Sequence, residues 1–109
     1  MVAINTVVLI GNLTKDPGPL SHTRSGVAVT VLRIAVNSRV RTPGGGFGEE
    51  TCFVNVTVRG RAAENAARTF RKGATVLVEG RLWEEEWESR GVAHSRIRLV
   101  ADRVANLSD

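Results

Sequence analysis

Phe53, Asn55, Thr57 and Arg59 alternate with Val54, Val56 and Val58 along one short run of the chain. A β-strand sends successive side chains to opposite faces, so the three valines share one face and the other four residues share the second. The valine face reads as core. An aromatic ring, an amide and a guanidinium on the open face suit non-covalent chemistry with a flat, anionic ligand. The ring stacks on a π face, the amide hydrogen-bonds an edge, and the guanidinium pairs with phosphate. Unpaired nucleic-acid bases on their backbone have this chemistry. Trp83 and Trp87 are two further candidate rings, and Arg33, Arg39, Arg61, Arg81, Arg96 and Arg98 are further candidate cations.

Two readings stay open for the tryptophans. Each base stacked on such a ring contributes about 1–3 kcal/mol, but Trp is equally at home in a dimer interface. Glu84, Glu85, Glu86 and Glu88 surround Trp87 and would repel a phosphate backbone. On a hairpin they can instead pair with Arg90, Arg96 or Arg98 across it. The charge balance favours a polyanion: Lys plus Arg number 15 against 11 acids, a formal net charge of +4. Only Lys15 and Lys72 are lysines. Arginine forks onto phosphates and stacks on bases where lysine acts as a point charge. The codon bias of a GC-rich genome accounts for the arginines equally well.

Catalytic readings fail on composition. His22 and His94 lack metal-ligand spacing with Cys52 or a carboxylate, and no phosphate-binding Gly-x-x-x-x-Gly-Lys-Ser/Thr loop occurs. We therefore expect no enzyme activity, no metal and no cofactor. Cys52, the single cysteine, permits no intramolecular disulfide, which suits a reducing cytosol. The N-terminus does not read as a secretory signal, and no segment approaches the roughly 20 apolar residues of a membrane span. A cytoplasmic, nucleoid-associated location is expected.

Five strands and one helix would position these residues. Strand patterns run from about Val2 to Asn12, Val27 to Arg39, Phe53 to Arg59, Ala74 to about Trp87, and Ala93 to Ala101. Gly11 suggests a bulge or bend in the first, and Gly80 a bulge in the fourth that could break its parity. Asp16-Pro17-Gly18-Pro19 and Ser89-Arg90-Gly91 mark turns, and Thr42 to Gly48 reads as a flexible loop carrying one exposed ring, Phe47. Thr30, Leu32, Ile34 and Val36 form a core face that leaves Arg33 outside. Val76, Val78 and Leu82 are expected inside, opposite Arg81, Trp83, Glu85 and Trp87. Arg61 to Lys72 has helical apolar spacing through Ala62, Ala63, Ala66, Ala67 and Phe70, with Gly73 as its C′ residue. Three strands, a helix, then two strands is the order of an all-β OB-fold, a five-stranded Greek-key barrel whose second and third strands form the usual oligonucleotide face.

Several motifs then carry a resemblance. Asn5-Thr6-Val7-Val8-Leu9-Ile10-Gly11-Asn12-Leu13 followed by Asp16-Pro17 resembles the opening of bacterial-type single-stranded DNA-binding proteins. Gly60-Arg61-Ala62-Ala63-Glu64, Arg71-Lys72-Gly73, and Val78-Glu79-Gly80-Arg81-Leu82 with Trp87 five residues on continue it in order over nearly the whole chain. The resemblance implies a homotetramer, a dimer of dimers, that wraps single-stranded DNA in replication, recombination and repair. Phe53 and Trp87 stand where this family stacks bases. Val40 and Arg59 stand where it often has two more aromatics, and Trp83 where a basic residue is common. The family usually bears a Gly/Pro/Gln-rich tail with an acidic tip that recruits replication and repair proteins. Residues 1–109 are expected to be one OB-fold domain without that tail, so such partners are expected only through a segment this sequence does not contain.

The expectation is sequence-tolerant binding and protection of single-stranded DNA by stacking and arginine contacts, with no membrane partner. The rival is an OB-fold interaction or accessory paralogue with weak DNA binding. RNA is a third possibility, since nothing in the residues reads a 2′-hydroxyl.

Overall fold

The computed structural model describes residues 1–108; Asp109, the end of the expected domain, lies outside the described residues. The valine-rich runs form strands β1 (Val7–Leu13), β3 (Ala28–Arg41), β4 (Phe47–Arg59), β5 (Thr75–Ser89) and β6 (Val92–Asn106), joined by a two-residue strand β2 (Ser21–His22). The helix α1 (Arg61–Thr69) lies between β4 and β5. Since β2 is only a short edge piece, this is the expected position between the third and fourth long strands. The sheet order is β1-β5-β6-β4-β3-β2, and β1 also pairs with β3. That last pairing closes the five long strands into a barrel. The β4–β6 pairing is parallel and all others are antiparallel. This is the OB-fold.

Alternation sorts the side chains. Leu32, Ile34, Val56, Val58, Val76 and Val78 are fully enclosed. Thr30 is also buried, and its hydroxyl donates to the Gly18 carbonyl at 2.8 Å, which removes the cost of burying it. The helix covers one end of the barrel with Ala63, Ala66 and then Phe70. Helix and core side meet through small alanines, so the backbone approaches closely.

Two glycines permit close strand approach. A Cβ on Gly11 would lie 2.5 Å from the Ala35 carbonyl oxygen, where β1 meets β3. Gly11 thus marks a crossing rather than the expected bulge; its pairing with Val76 is regular. A Cβ on Gly80 would lie 2.2 Å from the Val100 carbonyl oxygen. Here the register does shift: Glu79 faces Arg103 and Gly80 faces Ala101, leaving Asp102 as the extra residue of a bulge on β6. Past the bulge Val100 and Leu99 still pair with β4, and beyond Leu99 β5 and β6 run on as a two-stranded arm, closed by Arg90 and Gly91, both at positive φ as a tight hairpin turn requires.

Several boundaries differ from the sequence expectation. β1 begins at Val7 instead of Val2, because the Asn5 side chain substitutes for a backbone rung. Its amide donates to the Leu82 carbonyl at 2.7 Å and its carbonyl accepts from the Leu82 N–H at 2.9 Å. Thr42–Gly48 is not a free loop. The turn closes within Thr42–Gly46, and β4 resumes at Phe47 opposite Arg41. The helix ends at Thr69, three residues early, because Phe70 turns extended (φ −83°, ψ 145°) and enters the core. Gly73 therefore closes the following turn instead of capping the helix, donating to the Leu13 carbonyl at 2.8 Å. Leu82 is 48% exposed although its partner Leu99 is buried, since the β1 pairing ends at Gly80 and leaves Leu82 uncovered. Among the described residues no helix is long and apolar enough to cross a membrane.

Candidate nucleic-acid interface

The outer face of β4 carries Phe53, Asn55, Thr57 and Arg59, as alternation requires, while Val56 and Val58 are buried beneath. β3 brings Arg33 directly opposite Asn55. Its Nη1 donates to Asn55 Oδ1 at 3.4 Å, and its guanidinium carbon lies 5.1 Å from the centroid of the Phe53 ring. The parallel pairing of β4 with β6 spans only Val56–Thr57 against Leu99–Val100. Away from it the strands splay and leave a cleft of about 390 Å³ lined by Phe53, Asn55, Thr57, Arg96 and Arg98 among others.

A second cleft of about 290 Å³ lies on the other side of Thr57, lined by Thr23, Arg59, Arg81, Trp83, Glu85 and Arg98. Thr57 and Arg98 belong to both clefts, and Arg98 Nη1 donates to Thr57 Oγ1 at 3.2 Å. The two clefts thus form one surface running from β4 onto the arm. Phe53, Trp83 and Trp87 are 56%, 49% and 41% exposed. Trp87 stands further out, stacked against His94 (5.3 Å between centroids, 19° between planes) with the Arg96 guanidinium 5.2 Å from its ring.

The arm also sorts its charges. Trp83, Glu85 and Trp87 pair with Arg98, Arg96 and His94. Glu84, Glu86 and Glu88 alternate to the opposite side and line neither cleft; Glu86 and Glu88 flank Trp87 and His94 in a separate cleft of about 430 Å³ further out. Glu85 faces the arginines: its Oε1 lies 2.9 Å from Arg96 Nη2 and its Oε2 lies 2.8 Å from Arg98 Nε. The Arg98 Nε contact is an ion-pair distance without hydrogen-bond alignment. Desolvation pushes the Glu85 carboxyl up, but the Arg96 and Arg98 guanidiniums outweigh it and hold it below the ordinary carboxylate range. The cross-hairpin pairing expected of the glutamates is therefore made by Glu85 with Arg96 and Arg98. Arg90 sits in the turn and makes none among the described residues. Arg81 pairs with Asp102 at the bulge.

Seven of the eleven candidates line the two clefts, Phe53, Asn55, Arg59, Arg81, Trp83, Arg96 and Arg98, and Arg33 is held against them through Phe53 and Asn55. Trp87 adjoins through Arg96. Arg39 and Arg61 line neither. Arg61 opens the helix, and Arg39 lies over Phe47 near the turn of the β3–β4 hairpin, 4.2 Å from the ring centroid. Arg41 flanks the same ring at 5.8 Å. This Arg-Phe-Arg cluster, with Phe47 57% exposed, is absent from the sequence reading. The signal for it was there: a tight turn centred on Pro43-Gly44-Gly45 places Arg41 opposite Phe47. Thr57, placed on the open face by its spacing, also joins the two clefts, and His94, expected only at the surface, stacks on Trp87.

The profile of the "Single-strand binding protein family" matches residues 4–107. The chain is 42% identical over 101 residues to the single-stranded DNA-binding protein of Aquifex aeolicus, covering 93% of this chain and 68% of that protein. It is 40% identical over 104 residues to the protein of the same name from Helicobacter hepaticus, covering 94% of this chain and 61% of the other. Among solved structures, a deletion mutant of the single-stranded DNA binding protein from Thermus aquaticus superposes with a TM-score of 0.86 at 31% identity, over 96% of this chain and 51% of that one. The chain thus spans between half and about two thirds of the length of these relatives.

Proposed function

The chain belongs to the single-strand binding protein family, and from that membership we propose that it binds single-stranded DNA along the surface formed by β4 and the β5–β6 arm. The observation that carries this reading is the run of three half-exposed rings, Phe53, Trp83 and Trp87, interleaved with arginines on one continuous face. Bases stack on the rings, and every base has a π face, so binding tolerates any sequence. The backbone follows the guanidiniums of Arg33, Arg59 and Arg98. Arg59, which makes no ion pair among the described residues, is the cation most available to a phosphate. The hairpin turn with Arg39, Phe47 and Arg41 extends the path past the barrel. The work is binding and protection without catalysis, in replication, recombination and repair.

The assembly we propose is a homotetramer. Its support is the outer side of β1, where Val8 and Ile10 are more than half exposed, and where Val7–Gly11 has no strand partner opposite β5 among the described residues. An apolar open edge of this kind calls for a partner. Sedimentation as a monomer at micromolar concentration would contradict it.

One observation favours the rival reading of an accessory module with weak DNA binding: Arg81, Arg96 and Arg98 are already paired with acids. Titration with oligo-dT separates the two. The chain has only two tryptophans, both on the arm, so their fluorescence reports the interface directly. Saturable quenching at moderate salt is expected. No quenching, with the protein folded, sinks the proposal in favour of the accessory module.

A further inference from the structure

Glu85 is the only acidic residue lining either cleft among the described residues, and it occupies the centre of an arginine fork. Arg96 reaches its Oε1 through both Nε (3.0 Å) and Nη2 (2.9 Å), while Arg98 reaches Oε2 through Nε (2.8 Å). Arg98 is steadied from behind by Thr57. Two guanidiniums converging on a pair of oxygens form a seat equally suited to a carboxylate or a phosphate, since both accept the parallel N–H pairs of arginine. The seat lies where the two clefts join, on the path a backbone would take between Phe53 and Trp83.

Building on the function proposed above, we infer that Glu85 is an internal competitor that holds the phosphate seat of Arg96 and Arg98 when no strand is bound. An arriving strand must expel the carboxylate or pass over two neutralised arginines. The pair is partly solvated, so it is weak enough to exchange. The chain then neutralises one or two phosphates fewer than its arginines allow.

Glu85→Gln keeps the shape and removes the competing charge. Each phosphate gained steepens the log-log salt slope of single-strand binding by about 0.7. One or two gained phosphates give a change of about 0.7–1.4. Over the decade from 1 M to 0.1 M salt this amounts to about 5- to 25-fold tighter binding at the lower salt. Glu84→Gln removes the same charge from the opposite side of the same strand and serves as control. Oligo-dT titrations at four salt concentrations, with melting curves to confirm folding, are the test. Tighter binding and a steeper slope for Glu85→Gln alone support the inference. An unchanged slope or weaker binding for Glu85→Gln, while the parent chain binds, overturns this inference and leaves the function intact. An equal change from Glu84→Gln overturns it in favour of bulk charge. If the parent chain binds no oligo-dT at any salt, the proposed function falls, and this inference with it.

Discussion

Phe53→Ala removes a ring that is half exposed on β4 and touches the Arg33 guanidinium. The ring carries no core packing; Val54 and Val56 beside it do that work. What folding loses is the arginine contact, about 0.5–1 kcal/mol at an exposed site. What binding loses is a stacking surface, about 1–3 kcal/mol per base. At 1.4 kcal/mol per factor of ten, this is about 5- to 150-fold in single-strand affinity. The two effects differ enough to separate. Anisotropy of a labelled oligo-dT gives the affinity, and thermal melting of the free protein gives the stability. Phe53→Trp, which enlarges the stacking face, should hold or raise affinity where alanine lowers it. Affinity within twofold of the parent for a folded Phe53→Ala would refute the stacking role. A loss of binding matched by loss of folding would refute the division of labour between the two faces of β4.

Trp87→Ala should weaken oligo-dT binding by about 1–3 kcal/mol in the same assay, and should also free His94 and Arg96, visible as a shift of the His94 ring signals by NMR. Phe47→Ala should lower affinity for long oligomers more than for short ones, because Phe47 lies at the far end of the β3–β4 hairpin; equal losses at both lengths would argue against an extended path. Gly80→Ala drives a Cβ into the Val100 carbonyl, and overpacking of this kind costs about 1–3 kcal/mol. Chemical denaturation should show that loss, and an unchanged midpoint would mean the bulge relaxes freely.

Much of the barrel was legible because alternation is strict where one face is buried. Thr30, Leu32, Ile34, Val56 and Val58 each fall on the side their spacing dictates. The same rule failed at Leu82, which keeps its parity but lies beyond the last β1 rung at Gly80. Sequence parity says which side a residue faces, not whether anything covers that side. The helix end was misjudged because Phe70 fits a helical apolar face and a turn into the core equally well. Asn5 escaped notice because a side chain that imitates a backbone rung leaves no periodic trace. Of the interface, the β4 residues were readable from one strand alone. The Glu85 fork and the Arg39-Phe47-Arg41 cluster depend on cross-strand register, which composition does not encode.

Under the proposed function one face, from Phe53 through Thr57 and Arg98 to Trp83 and Trp87, receives the strand. Mapping by ¹⁵N NMR with an unlabelled oligo-dT tests it most directly. The two indole N–H signals and the amides of residues 53–59 and 96–98 should shift together on titration, while those of helix α1 and of Val76 and Val78 stay in place. Shifts concentrated on the helix or on the outer side of β1, with both indole signals unmoved, would contradict it.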